Sequence, residues 1–501
     1  VSISRQHLKR HRRTKRGFIN LKVVLVLRQI KVEPIQPNYN AATFVHSGYF
    51  VMQCDPALIR KYNINGPRYT SYPTALAMQH NFDPCHVQRA IALCSDDLSL
   101  YLHIPFCQQL CYYCGCNKIV TRHQHKADIY LQALEQEMLC YAARIAGKHI
   151  KQVHLGGGTP TFLTELQLTR LIVLIHKHFT LNADAELSIE IDPRSCSDDK
   201  LRFLHKLGFN RVSFGVQDLD EKVQIAINRV QDTDLIRRQM LLCREIGFAS
   251  VNLDLIYGLP FQHPDSFAQT LDTIIQLNPD RISLFSYAHL PERFAAQRKI
   301  PDASLPDAAT KLQLQTMGIE AFGKAGYQFI GMDHFARPDD ALAKAQQNGT
   351  LQRNFQGYTT AGQDTLIGLG VSSISQVSGV LWQNVKTLPE YYQMVAQLQL
   401  PIERGFCLND DDKIRAALIS QLICHFKLDT SAFCQQWGIT AFWHYFADAL
   451  TLLQPFMEDG LVEIYAERIK VTGSGRLWVR SICACFDAYL NQGQQRYSKV
   501  V

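Results

Sequence analysis

What most constrains this chain is a rhythm that begins at Leu98. From there, short apolar, β-branched runs alternate with amphipathic stretches of ten to twenty residues. The strand candidates lie at 98–104, 152–155, 187–191, 211–214, 250–255 and 281–285, and a further run at 327–331 follows a long helical stretch at 306–325. Helical candidates between them include 127–146, 164–178 and 233–246. Strands that alternate with helices pair in parallel through right-handed crossovers, and about six such repeats predict an α/β protein built on a full or partial (β/α) barrel of about six parallel strands. Function in such sheets sits at the carboxyl ends of the strands. The unusual residues fall there: HIPFC after the first strand, GGGTP after the second, EIDP at the third, GVQ after the fourth, DLIYGLP at the fifth and SYAHL after the sixth.

The flanks read differently. Residues 1–51 carry ten Lys and Arg against one acid, with KRHRRTKR preceding the short apolar run VVLVL. They are expected to be a basic leader of uncertain origin, either an over-extended start with the native one at Met52 or a targeting or membrane-surface segment. Residues 52–97 are turn-rich, include GPRYTSYPT, and are expected to form an N-terminal arm covering the substrate. Residues 98–400 would be the barrel domain. After Pro401 the alternation stops: helices are expected at 409–426, 430–437 and 441–458 and a β-hairpin at 460–472, a winged-helix-like, mostly helical C-terminal domain at 401–501.

Charge decides against one class of partner. The chain's net charge is +7, but the 450 residues after position 51 hold 42 basic and 44 acidic groups. That near-neutral body has no basic stripe to neutralise a phosphate backbone, so nucleic acid is not expected as a partner and the C-terminal module reads as a lid or scaffold. No stretch reaches the roughly 18 apolar residues of a membrane-spanning helix, so no stable membrane insertion is expected. Fifteen cysteines, mostly scattered singly in apolar runs, suit small buried hydrophobes in a reducing compartment, and a cytoplasmic protein is expected.

The exception is the cluster Cys107, Cys111, Cys114 and Cys116, in a loop directly after a strand. Three thiolates spaced CxxxCxxC on one tight loop can ligate three irons of a cubane, and soft sulfur ligands select Fe–S or zinc. A structural zinc site with Cys116 as fourth ligand and unligated buried thiols are the alternatives. Zinc sites usually pair two knuckles, and no second knuckle exists in the sequence.

Beyond the triad, GPRYTSYPT, YLHIPFCQQLCYYCGCNKIVTR, HLGGGTPT, SIEIDPR, FNRVSFGVQD, DLIYGLP, FIGMDHFARPDD and NFQGYTT closely resemble the oxygen-independent coproporphyrinogen III oxidase (coproporphyrinogen dehydrogenase) family of the radical S-adenosylmethionine superfamily. The resemblance covers roughly 52–501. It implies a [4Fe–4S] cluster on Cys107, Cys111 and Cys114, with Cys116 a bystander. It implies S-adenosylmethionine contacts from Tyr101, Glu190, Gln217, Arg229 and Asp254, and a second S-adenosylmethionine near Tyr113, Gly157, Gly158, Thr159, Ala288 and Ile374. Tyr113 replaces the phenylalanine of some members.

The implied reaction converts two propionates of coproporphyrinogen III to vinyls, giving protoporphyrinogen IX, with an electron donor for the cluster and an external acceptor. A monomer is expected. A tetraanionic substrate needs cations, and Arg68, His334 and Arg337 are the candidates. The rivals are a haem chaperone of the same superfamily, which the CGCN tetrad and the complete arm motif count against, and a zinc-stabilised DNA-binding scaffold, which the neutral body counts against.

Overall fold

The structure, a computed structural model, describes residues 58, 61–62, 66–95 and 97–490; the basic leader at 1–51 lies outside the described residues. Twelve strands form one sheet. In chain order they are β1 (Leu98–Ile104), β2 (His149–Gly157), β3 (Thr180–Ile191), β4 (Arg211–Gln217), β5 (Ser250–Tyr257), β6 (Arg281–Ser286), β7 (Gln328–Gly331), β8 (His334–Ala336), β9 (Thr365–Leu369), β10 (Ile374–Val377), β11 (Val380–Asn384) and β12 (Ile402–Cys407). Their spatial order is β12-β11-β10-β9-β1-β2-β3-β4-β5-β6-β8-β7. The stretch from β9 through β6 is parallel throughout, and the strands beyond it on either side are antiparallel.

Three features differ from the sequence expectation. The run at 365–369 pairs in parallel with β1, adding a strand to the six foreseen. The run at 327–331 is not the next parallel neighbour of β6. It turns at Met332–Asp333 into β8, and β8 is the strand that pairs with β6, antiparallel. The sheet also continues past Pro401 as β12.

The crossover helices have local stop signals that fix the strand ends. Helix Glu165–His178 opens on a capping box in which the Thr164 hydroxyl accepts from the Gln167 N–H and the Gln167 side chain accepts from the Thr164 N–H. Helix Thr233–Ile246 opens on Asp232 and ends on Gly247 in the left-handed region, φ +95°. The parallel strands alternate. Val212 and Phe214 of β4, Leu253 and Leu255 of β5, and Ile282 and Leu284 of β6 are buried core. The residues between them, Ser213, Asn252, Asp254 and Ser283, line an interior cavity. A parallel sheet covered on both faces reads as continuous apolar runs. This one carries polar side chains on its inner face, and that face is where chemistry can be housed.

The described chain divides into two compact units, residues 70–413 with residue 58, and residues 61–62, 66–69 and 414–490. The second unit contains helices Thr430–Trp437, Phe442–Tyr445 and Ala447–Glu458 and a three-stranded antiparallel sheet of Lys427–Asp429, Arg468–Val471 and Val462–Ile464. It includes the start of the sequence-predicted arm: Arg480 donates to the carbonyls of Gly66 and Pro67, and the Tyr69 hydroxyl donates to Asp487 at 3.0 Å. Among the described residues, no helix is long and apolar enough to cross a membrane.

Candidate active site

The cysteine loop leaves β1 at Pro105 and is closed by a two-residue parallel pairing of Phe106–Cys107 with Ile119–Val120. Its tip is pinned from outside: the Tyr112 N–H donates to the Ile227 carbonyl at 3.0 Å, and Asn228 Nδ2 donates to the Leu110 carbonyl at 2.7 Å. Cys107, Cys111 and Cys114 face one cavity of about 280 Å³ at the carboxyl ends of β2 to β5, with Gly157, Gly158, Thr159, Glu190, Gln217, Arg229 and Asp254 on its walls. The glycine run is stitched to the cysteine loop by Gly158 N–H to the Ile104 carbonyl and Thr159 N–H to the Phe106 carbonyl, both 2.8 Å. Gly157 has φ +110°, and a Cβ on Gly158 would lie 2.7 Å from the Phe106 carbonyl oxygen. Gly158→Ala is therefore expected to force the two loops apart and to lower iron retention several-fold. Iron analysis after anaerobic reconstitution checks this, and full iron content would contradict it.

The cavity is charged at two ends. At one, Asp192 is paired with Arg194 at 2.7 Å and Arg229 at 3.2 Å, and both guanidiniums also reach the Cys111 sulfur, at 3.7 and 3.4 Å. Burial would raise the Asp192 carboxyl, but the two arginines hold it below its usual range. At the other end stand Glu190 and Asp254. Burial pushes Glu190 upward, yet a hydrogen bond and charge from His154, with the Gly157 N–H at 3.1 Å, hold it below the ordinary value. Asp254 goes the other way, to about 6, because burial outweighs the Ser213 hydroxyl that donates to it and Glu190 repels its charged form.

The thiols differ as well. The neighbouring Cys116 thiol brings Cys114 below its ordinary value against burial, with Lys118 assisting. Burial raises Cys107 to about 11, opposed by the Thr159 hydroxyl, which donates to its sulfur at 3.6 Å. The cavity thus offers soft sulfur, a cationic end and an anionic end to one ligand set. A zwitterionic amino acid headed by a cation fits that pattern.

Of the other residues singled out in the sequence, Tyr113 lines this cavity, while Tyr101 and Ile374 line an adjoining one of about 310 Å³ together with His103, Cys116 and Glu190. Ala288 lines neither; its carbonyl accepts from Gln297 Nε2, which also donates to the Tyr113 carbonyl. His334 faces the interior cavity of about 220 Å³ beneath Glu190 and Asp254. Arg68 falls in the second unit. Arg337 lines none of these cavities: its N–H donates to the Asp280 carbonyl and its guanidinium to Asn278 and Asp339, which places it at the amino end of β6. Sequence reasoning missed Asp192 and Arg194 as individual site residues, although both stand in the EIDPR segment.

Residues 101–274 match the model of the Radical SAM superfamily, which makes this a radical S-adenosylmethionine protein, and residues 408–478 match that of the HemN C-terminal domain. The chain is 54% identical over 450 residues to the oxygen-independent coproporphyrinogen III oxidase of Salmonella typhimurium and 53% identical over 450 residues to that of Escherichia coli, in each case covering 89% of this chain and 98% of the relative. It is 47% identical over 454 residues to that of Pseudomonas aeruginosa, covering 89% of this chain and 98% of the relative. The solved coproporphyrinogen III oxidase of Escherichia coli superposes with a TM-score of 0.84 at 53% identity, covering 88% of this chain and all of that one. The chain belongs to the oxygen-independent coproporphyrinogen III oxidase family.

Proposed function

We propose that this protein converts two propionate side chains of coproporphyrinogen III to vinyls without O2, giving protoporphyrinogen IX in haem biosynthesis. The observation that carries the reading is the juxtaposition of three cysteines with an Asp–Arg pair and two inward carboxylates in one cavity, in a chain that matches its relatives along nearly their whole length. Cys107, Cys111 and Cys114 would hold a [4Fe–4S] cluster, leaving one iron without a protein ligand. When bound, the reduced cluster and S-adenosylmethionine supply a 5′-deoxyadenosyl radical able to take a hydrogen atom from a propionate β-carbon.

The chain's own residues bind and orient. Arg229 suits the methionine carboxylate, Glu190 and Asp254 suit the amino and ribose hydroxyl groups, and Gln217 supplies an amide beside them. Tyr101 lies along the adjoining cavity wall. A second S-adenosylmethionine would lie near Tyr113, Gly157, Gly158, Thr159, Ala288 and Ile374. His334, on the interior cavity wall, would be a polar partner for substrate carboxylates. Each propionate loses a hydrogen atom, CO2 and one electron, the last to an external acceptor; an electron donor reduces the cluster. We place the protein in the cytoplasm as a monomer.

The test is anaerobic reconstitution followed by assay for 5′-deoxyadenosine and vinyl product. The reading requires both to depend on coproporphyrinogen III. Tight haem binding with neither product would replace it by a haem-chaperone role.

A further inference from the structure

Beneath Asp254 lies a set of side chains with no assigned part in the chemistry. On β5, residues two apart face the same side, so Asn252 stands directly below Asp254 in the interior while Val251, Leu253 and Leu255 are buried on the opposite side. Asn252 Nδ2 donates to Asp254 Oδ1 at 2.8 Å and to Ser213 Oγ on β4 at 2.8 Å. Ser213 Oγ in turn donates to Asp254 Oδ2 at 2.9 Å, and Ser283 Oγ on β6 donates to Asn252 Oδ1 at 3.2 Å. Strand register puts these groups side by side: Ser213 opposite Asn252, and Ser283 opposite Asp254.

We infer that Asn252 is a positioning residue, which fixes the Asp254 carboxylate for S-adenosylmethionine by donating to one of its oxygens while Ser213 donates to the other. The inference rests on the reading above that Asp254 contacts that molecule. An amide is the group this place needs. Its N–H2 serves two acceptors and its oxygen takes the Ser283 proton, so both hydrogen-bonding ends are used and the side chain has one orientation. Leucine would leave Asp254 Oδ1 without this donor, and aspartate would set a second carboxylate against the first. With a donor on each oxygen from below, the carboxylate cannot rotate freely, and its remaining lone pairs are directed to the cavity. A hydrogen bond to a charged group inside a protein is worth enough that losing it should be read as about a tenfold change in affinity or more.

A double-mutant cycle on the anaerobically reconstituted full chain separates positioning from mere structural support. Affinity for S-adenosylmethionine is measured by equilibrium binding, with iron content recorded for every variant. Asn252→Ala and Asp254→Asn are each expected to weaken binding by about tenfold or more, and the double variant should bind no more weakly than Asp254→Asn alone. At saturating S-adenosylmethionine the KM for coproporphyrinogen III should not move. Asn252→Ser, which keeps a hydroxyl donor in a smaller side chain, should recover part of the loss, and it carries the same comparison should Asn252→Ala fail to load iron. If Asp254→Asn retains full affinity, the contact assigned to Asp254 is wrong. If Asp254→Asn weakens binding but Asn252→Ala does not, or if the two losses multiply in the double variant, Asn252 does not act through Asp254 and the inference falls.

Discussion

Alanine at Cys107, Cys111 or Cys114, one position at a time, is expected to abolish 5′-deoxyadenosine formation and to leave protein with little bound iron. The three sulfurs are gathered by a loop that is closed at its base by the 106–107 and 119–120 pairing and pinned at its tip by Ile227 and Asn228. Among the described residues no further thiol belongs to the CxxxCxxC triad: Cys116, the fourth cysteine of the segment, also lines the cavity, but it stands outside that spacing. With two thiolates in place of three, a cubane loses an anchor that water cannot replace. Cys116→Ala, by contrast, should assemble the cluster, because that variant loses a thiol beside the site and keeps all three proposed ligands. Iron and sulfide analysis of the four variants checks both statements, and loss of iron from Cys116→Ala would contradict the ligand count.

Removing the Arg229 guanidinium should have the next largest effect. Arg229 is buried and reaches three acceptors at once: the Gly215 carbonyl at 3.1 and 2.6 Å, Asp192 at 3.2 Å and the Cys111 sulfur at 3.4 Å. Gly215 is what lets it lie there, since a Cβ at that position would fall 2.7 Å from its Nη2. Arg229→Ala leaves the partly buried Asp192 with Arg194 alone and strips the proposed carboxylate partner from the cavity. Truncating one partner of a buried, hydrogen-bonded charge pair in a binding site costs roughly 2–5 kcal/mol of affinity, so affinity for S-adenosylmethionine should fall by about 30-fold or more. Arg229→Lys should recover little, because one ammonium cannot span acceptors that a planar five-donor fork reaches together. Equilibrium binding measures both, and near-normal affinity in the lysine variant would show that charge alone suffices.

Much of this architecture is legible in the chain. The strand–helix rhythm from Leu98 marks six strands of the parallel run, and the odd residues after the first five mark the cavity wall, whereas the SYAHL segment after the sixth does not line it. The strand Thr365–Leu369 was hidden by its brevity: five residues containing a glycine and flanked by no crossover helix give no periodicity to read. The position of Arg337 has a topological cause. Had 327–331 been the next parallel strand, what followed it would sit at the carboxyl end. Instead the chain reverses into β8 and runs back, so Arg337 arrives beside Asp280 at the amino end of β6. The site shows the same division. The three cysteines are close in sequence and could be read there. Asn252 meets Ser213 and Ser283 only when separate strands are laid in register, and Asp192 meets Arg229 only when two loops are brought to one end of the sheet; no local pattern records either.

The central claim is a cluster held by three protein thiolates with one iron open to S-adenosylmethionine. The most direct test is electron paramagnetic resonance of the anaerobically reconstituted, reduced protein, with and without S-adenosylmethionine, at a measured content of about four iron and four sulfide ions per chain. The account predicts that the cluster signal changes when S-adenosylmethionine is added and that Cys116→Ala behaves in the same way. A signal indifferent to S-adenosylmethionine, or a chain that binds zinc and no iron, would contradict it.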